Sequence, residues 1–285
     1  MSNPYVISAE LDLANAELER IVRLEKIEDF RESLDTSLRS MGKDTVWVSS
    51  STMQTGLETA ISKTRLPVVS LDDRYVTSAN EYIGISRGVD EQLNDIGYVP
   101  RVGYPSIKRQ LGKISALGGE IVIADDVLFS GEMIAWLANV LEPYGVKIGG
   151  LVCGIAIQEG IDKMQAKDVD IEAVQAFDEV EDEICERDFA VVTGSGRRID
   201  SIAANTLYFD PTNGKPAKWA SIPPEKVEYF AYSSYIRSAD LIKPDLRFGD
   251  IGSFYGWDSS MNVVESLEEA AMWAYARATG VPPVF

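Results

Sequence analysis

Histidine is absent from all 285 residues. That excludes His-dependent catalytic triads, imidazole general bases and His-ligated metal sites. Cysteine is nearly as scarce. Cys153 and Cys185 are the two thiols, too few for a disulfide framework or a zinc–thiolate cage. Cys153 stands in an apolar run and reads as a small buried side chain. No segment approaches 18 continuous apolar residues, and the N-terminus has no basic region leading into an apolar one. Neither a membrane span nor a secretory leader is expected, and a reduced, soluble, cytoplasmic protein is. Positive charge is in deficit as well: 27 Lys and Arg stand against 45 Asp and Glu, for a net charge of −18. Such a surface does not seek nucleic acid or anionic membrane. A phosphate site on this chain therefore has to supply its own local positive field.

What remains is a globular composition, 45% hydrophobic and 25% charged, on a chain long enough for one large core with appendages. One stretch organises it, Glu120 to Ile134, E-I-V-I-A-D-D-V-L-F-S-G-E-M-I. Ile121 to Ala124 form a short continuous apolar run after Gly118-Gly119, the pattern of a strand buried on both faces of a parallel sheet. Asp125 and Asp126 follow at the expected strand end, and Val127, Leu128 and Phe129 lead to Ser130-Gly131. Met133, Ile134, Leu137, Val140, Leu141 and Tyr144 then recur at helical spacing, with Gly145 marking the stop. Ser130 is the expected N-cap, with Gly131 in the first turn.

The crevice at the carboxyl ends of parallel strands is where α/β sheets bind ligands, and a helix N-terminus opening there attracts anions. Two adjacent carboxylates suit sugar hydroxyls or a hydrated Mg²⁺ ion, or serve only to solvate the sheet edge. A phosphate on the loop and a polyol on the acids together describe a phosphorylated ribose.

This stretch resembles the 5-phosphoribosyl 1-pyrophosphate (PRPP) motif of the type I phosphoribosyltransferases. The resemblance covers about Lys43 to Ile199 and implies a parallel-sheet α/β core flanked by helices there. It implies that Asp125 and Asp126 hold the ribose hydroxyls and share Mg²⁺, while Val127, Leu128, Phe129, Ser130 and Gly131 form the 5′-phosphate loop. The implied reaction is attack of a nucleobase-like acceptor on ribose C1 with release of pyrophosphate, and a homodimer is compatible with it. Two positions depart from the motif. Met133 replaces the usual second hydroxyl residue, and Glu132 puts a negative charge beside the expected phosphate. Glu132 is expected to face solvent, where a glutamate near a helix N-terminus is favourable. A non-catalytic regulator that binds PRPP or a nucleotide on the same fold is the alternative.

The flanking chain supplies the other candidates. Residues 8–41 show amphipathic helical spacing. Thr45–Ser49 reads as a strand, Ser50–Thr55 as a loop, Gly56–Lys63 as a helix and Leu66–Leu71 as the next strand, a βαβ unit. In the resembled family the loop of this unit contacts pyrophosphate, which nominates Ser50 and Ser51. Arg74, just past the second strand, is the cation expected nearest. Residues 73–117, where the family carries a flexible loop, hold a local basic cluster of Arg101, Lys108, Arg109 and Lys113; Lys108 and Arg109 are the candidates to meet the substrate. Val146–Ile157, Ile171–Phe177 and Phe189–Thr193 read as further strands. The last leads into Gly194-Ser195-Gly196-Arg197-Arg198, a tight turn or an anion loop. The expected organisation is a helical segment over 1–42, the core over 43–200 and an α+β appendage over 201–285, rich in aromatics and closed by a helix over 266–279.

Overall fold

The computed structural model describes residues 3–13, 16–192, 196–199, 204–254 and 256–283. Its strands are β1 (Tyr5–Ser8), β2 (Thr45–Val48), β3 (Val68–Ser70), β4 (Glu81–Tyr82), β5 (Ile85–Val89), β6 (Asp95–Pro100), β7 (Gly119–Leu128), β8 (Val146–Ile157), β9 (Asp170–Phe177), β10 (Asp182–Cys185), β11 (Arg197–Ile199), β12 (Ala204–Thr206) and β13 (Ser253–Phe254). Its helices are α1 (Ala16–Ile21), α2 (Ile27–Ser40), α3 (Ser50–Lys63), α4 (Ile107–Ser115), α5 (Glu132–Leu141), α6 (Gln158–Gln165), α7 (Pro216–Trp219), α8 (Val227–Leu241), α9 (Phe248–Ile251) and α10 (Val263–Thr279). They form two compact units. One comprises Met1–Trp47, Ser86–Tyr98 and Glu181–Phe285, the other Val48–Ile85 and Val99–Val180.

The second unit, 48–85 with 99–180, is the expected α/β core. Its sheet runs β4-β3-β7-β8-β9 with all four strand pairings parallel. The apolar runs of β7 and β8 take the central positions because parallel strands are covered on both faces. Ile121, Ile123, Ala124, Leu151, Cys153 and Ile155 are almost wholly buried, each large aliphatic among them contributing about 1.5–3 kcal/mol. Helix α3 buries Met53, Leu57, Ala60 and Ile61, a stripe at i, i+4, i+7 and i+8. It lies so close to β8 that a Cβ on Gly154 would overlap the Met53 thioether and come 2.9 Å from the Asp126 carbonyl oxygen.

The first unit, 1–47 with 86–98 and 181–285, carries two smaller sheets, β10-β1-β2 and β13-β12-β11-β5-β6. The C-terminal aromatics make its core: Phe189 meets Phe230 edge-on at 5.5 Å and Phe209 meets Tyr235 at 5.2 Å. Helix α2 buries Ile27, Phe30, Leu34 and Leu38, and α10 buries Val263, Leu267, Ala271 and Ala274. Arg237 of α8 is buried and makes no ion pair among the described residues; it donates to Ser33 O (3.2 Å), Ser37 Oγ (3.0 Å) and Ser234 Oγ (2.7 Å). Burial pushes its guanidinium down to about 9.

Several local expectations change. The chain starts with a buried strand rather than a purely helical segment: Tyr5–Ser8 pairs in parallel with Asp182–Cys185, a long-range contact that local periodicity does not register. Helix α3 begins at Ser50, because Ser49 accepts the Thr52 N–H (3.1 Å) as an N-cap and the apolar stripe of α3 packs on the sheet. The expected loop over 50–55 is therefore helical. β2 and β3 lie in different sheets, so 45–71 is not a βαβ unit. Residues 73–117 fold into β4, β5, β6 and α4, with a turn at Asp90–Asn94. Phe189 closes a 3₁₀ turn and is not followed by a strand at 190–192; Thr193, Gly194 and Ser195 lie outside the described residues. The compact units also interleave along the chain, whereas the boundaries expected at 42/43 and 200/201 follow sequence order.

Candidate functional site

Strand β7 runs on to Leu128, two residues past the acid pair at which the sequence suggests an end, so Asp125 and Asp126 sit inside it, with Asp125 opposite Cys153 of β8. Asp125 is 4% exposed and Asp126 half-buried. The Asp125 carboxyl accepts the Asp126 N–H at 3.1 Å, and Asp126 accepts the Val127 N–H at 2.8 Å. Burial, then the neighbouring carboxyls of Asp126 and Asp72, hold Asp125 well above the usual carboxylate range. The shift favours the protonated form, which can donate a hydrogen bond. The same burial, reinforced by both aspartates, pushes the Cys153 thiol up. The two acids thus differ in environment: Asp125 is buried with a raised pKa, and Asp126 is half-buried.

Asp72 is a third member that sequence reasoning missed. It is 5% exposed, just beyond β3, and its Oδ1 accepts the N–H groups of Arg74 (2.9 Å) and Tyr75 (2.6 Å). The signal was present: β3, like β7, runs into an Asp-Asp pair, Asp72-Asp73. Asp73 is exposed, pairs with Arg101 at 3.4 Å and accepts from the Tyr104 hydroxyl at 2.8 Å. Arg101 also donates to Leu71 O (3.3 Å) and Ile85 O (3.4 Å). Arg101 is therefore the member of the basic cluster that reaches the strand-end loop. Lys108 and Arg109 are exposed in the first turn of α4 and make no ion pair among the described residues. Arg74 is half-buried in the Asp72 turn and engaged there, its N–H on Asp72. Ser50 is buried and Ser51 exposed at the start of α3, where the Ser49 Oγ lies 3.1 Å from that of Ser51.

Val127, half-buried, and Leu128, buried, are the last residues of β7 rather than part of the loop, because their pairing with Ile155 and Ala156 extends the strand; the loop itself holds Phe129 and Ser130 half-buried and Gly131 buried. Gly131, not Ser130, is the N-cap of α5; its φ of 70° is left-handed, a conformation that glycine adopts without strain. Glu132 is consequently the first helical residue and is exposed, as expected. Helix α6 presses on this loop. A Cβ on Gly160 would overlap the Phe129 carbonyl oxygen and approach Leu128 Cγ to 2.9 Å. On the same side, a Cβ on Gly131 would meet Met164 Cε at 3.0 Å and Lys163 Cδ at 3.6 Å. Lys163 is half-buried, makes no ion pair among the described residues, and brings a cation to the loop that sequence reasoning did not nominate.

The described residues contain no group of three or more acidic or cysteine side chains arranged to hold a metal. Asp126 alone is a presented carboxylate, which fits a Mg²⁺ ion bound mainly through substrate oxygens rather than in a protein cage. A cavity of about 480 Å³ in the same unit opens at the other end of the strands, lined by Lys63, Leu66, Gly149, Gly150 and Asp170. Its lining does not include Asp72, Asp125 or Asp126.

No family model matches the sequence, and no curated protein does. Solved structures do. The chain is similar to Leishmania donovani UMP synthase at 14% identity and a TM-score of 0.29, covering 44% of this chain and 26% of that one. It is similar to the adenine phosphoribosyltransferase of Thermoanaerobacter pseudethanolicus at 13% identity and a TM-score of 0.30, over 54% of this chain and 83% of that one. The orotate phosphoribosyltransferase of Aeropyrum pernix gives 17% identity and a TM-score of 0.24, over 52% and 71%. Two of these three are phosphoribosyltransferases by name. The chain spans about a quarter of the length of the UMP synthase. The chemistry of the site rests on this chain's own residues.

Among the described residues no helix is long and apolar enough to cross a membrane.

Proposed function

We propose that the protein is a PRPP-dependent phosphoribosyltransferase acting on a nucleobase-like acceptor. The observation that carries this reading is the conjunction at the carboxyl end of β7: a half-buried Asp126 beside a buried Asp125, followed by a loop that opens α5 with Lys163 along it. Asp126 accepts a ribose hydroxyl, and Asp125, whose raised pKa favours the protonated form, offers a donor to the same network. The Phe129–Gly131 loop and the first N–H groups of α5 receive the 5′-phosphate, and the Lys163 amine supplies the positive field that the acidic chain otherwise lacks. The acceptor nitrogen attacks C1 as the bond to pyrophosphate breaks, through an oxocarbenium-like transition state that needs no strong base. Mg²⁺, when bound with PRPP, neutralises the leaving pyrophosphate. A PRPP-binding regulator without turnover is the second reading. It is favoured by one observation: the segment expected to form a pyrophosphate loop, Ser50–Thr55, is the first part of α3.

Calorimetry with PRPP and Mg²⁺ on the full chain tests the site. Asp126→Asn and Lys163→Met are each expected to weaken binding tenfold or more, because each removes a charged partner. Asp125→Asn, at the buried acid whose raised pKa favours the uncharged form, weakens it less. Absence of PRPP binding, or Asp126→Asn binding as tightly as the natural chain, overturns the assignment. Pyrophosphate release with adenine, guanine, uracil or orotate then separates transferase from regulator.

A further inference from the structure

The first unit contains a cleft of about 290 Å³ that the proposed PRPP site does not use. It lies among α8, α10 and the chain around Gly256, lined by Trp257, Trp273, Tyr235, Asp210, Asn213 and Glu269. We propose that this cleft is a binding site for a small organic cation of the quaternary-ammonium type.

The aromatic walls are held in place. Trp257 stacks on Phe248 with ring centres 4.7 Å apart and stands 6.3 Å from Tyr235. Trp273 of α10 is 46% exposed at the rim. Indole faces are the strongest neutral attractors of organic cations, which lose little on leaving water because their charge is spread over methyl groups. The charge of the lining has the matching sign. Asp210 is 1% exposed and oriented by the Thr212 N–H (2.8 Å) and the Asn213 amide (2.9 Å); the Tyr235 hydroxyl completes its shell. Neither Asp210 nor the exposed Glu269 has an ion-pair partner among the described residues. The lining's one cation, Arg277, is paired with Glu228 at 2.9 Å. An anion entering here meets two carboxyls that have no ion-pair partner among the described residues. A neutral base would gain stacking but no use of them. A compact monocation uses both, and a cleft at the small end of ligand pockets accommodates it without room for a nucleotide.

The experiment titrates the full chain with choline, followed by tryptophan fluorescence and calorimetry at constant ionic strength. The neutral isostere 3,3-dimethyl-1-butanol is the comparison. Saturable choline binding is expected, at least tenfold tighter than that of the alcohol. Trp273→Ala is expected to weaken choline about tenfold, with partial recovery in Trp273→Phe, and Glu269→Gln to weaken it several-fold. Both positions are exposed; should Trp273→Ala not fold, Glu269→Gln decides the matter alone. No saturable choline binding, equal affinity for the neutral alcohol, or Glu269→Gln binding unchanged overturns the proposal. None of these residues belongs to the PRPP site, so failure here leaves that site's test untouched.

Discussion

Gly160 offers a substitution whose sign is decided by tertiary contact against local preference. It is the third residue of α6, where alanine is favoured over glycine by up to about 1 kcal/mol. Its Cβ, however, would overlap the Phe129 carbonyl oxygen and lie 2.9 Å from Leu128 Cγ. The first obstacle is backbone at the end of β7, which cannot swing aside as a side-chain tip can. Overpacking of this kind costs about 1–3 kcal/mol, so Gly160→Ala is expected to destabilise by about 0.5–2 kcal/mol net. The relief available is displacement of α6 or of the Phe129–Gly131 loop, and PRPP affinity is expected to fall several-fold with it. Gly112 is the internal control: it is exposed in α4, and a Cβ there meets nothing within 4 Å. Gly112→Ala is expected to stabilise by up to about 1 kcal/mol. Urea unfolding of both variants and calorimetry with PRPP supply the readouts. If Gly160→Ala stabilises as much as Gly112→Ala, α6 does not press on the loop, and the placement of Lys163 beside it is wrong as well.

Glu132→Gln removes an exposed charge from the first position of α5, so stability should fall by about 0.3–1 kcal/mol and PRPP affinity should rise less than tenfold; a hundredfold gain would put Glu132 in the phosphate position and favour the regulator. Asp182 is raised by burial from 3.8 to about 6. Its folded pKa exceeds its unfolded one, so its contribution is complete below about pH 4 and is lost as pH rises through 6, on the order of 2 kcal/mol. Thermal melts of Asp182→Asn should lack that decline between pH 4 and 6, and an unchanged slope would remove Asp182 as its source.

The elements that the sequence declares are those carried by local pattern. The unbroken apolar runs of β7 and β8 could satisfy themselves only between two covered faces, and they are the central strands. The helix after Gly131, the helix closing the chain and the exposure of Glu132 follow from spacing and helix-end electrostatics in the same way. The Asp125-Asp126 pair lies on a central strand, as the apolar run before it suggests, but residue type says nothing of burial. Burial in the sheet, with Asp126 and Asp72 nearby, raises the pKa of Asp125, while Asp126 stays half-buried.

Other features were fixed only by partners distant in sequence. Tyr5–Ser8 is a strand because Asp182–Cys185 lies beside it. Ser50–Thr55 is helical because Met53 and Leu57 have a sheet to cover, and a serine-rich stretch with no such surface reads as loop. Lys163 stands 32 residues beyond Gly131 and is one of many lysines in the sequence; it becomes a candidate only where α6 packs against the loop. The aromatics after Asp200 were legible as core-forming, yet the cleft between Trp257 and Trp273 exists because α8 and α10 bring separate segments around one buried aspartate. Periodicity is a property of neighbours along the chain, and it specifies which faces must be covered. Which segment covers them, and which polar groups that leaves open to a ligand, depends on contacts between residues far apart in sequence.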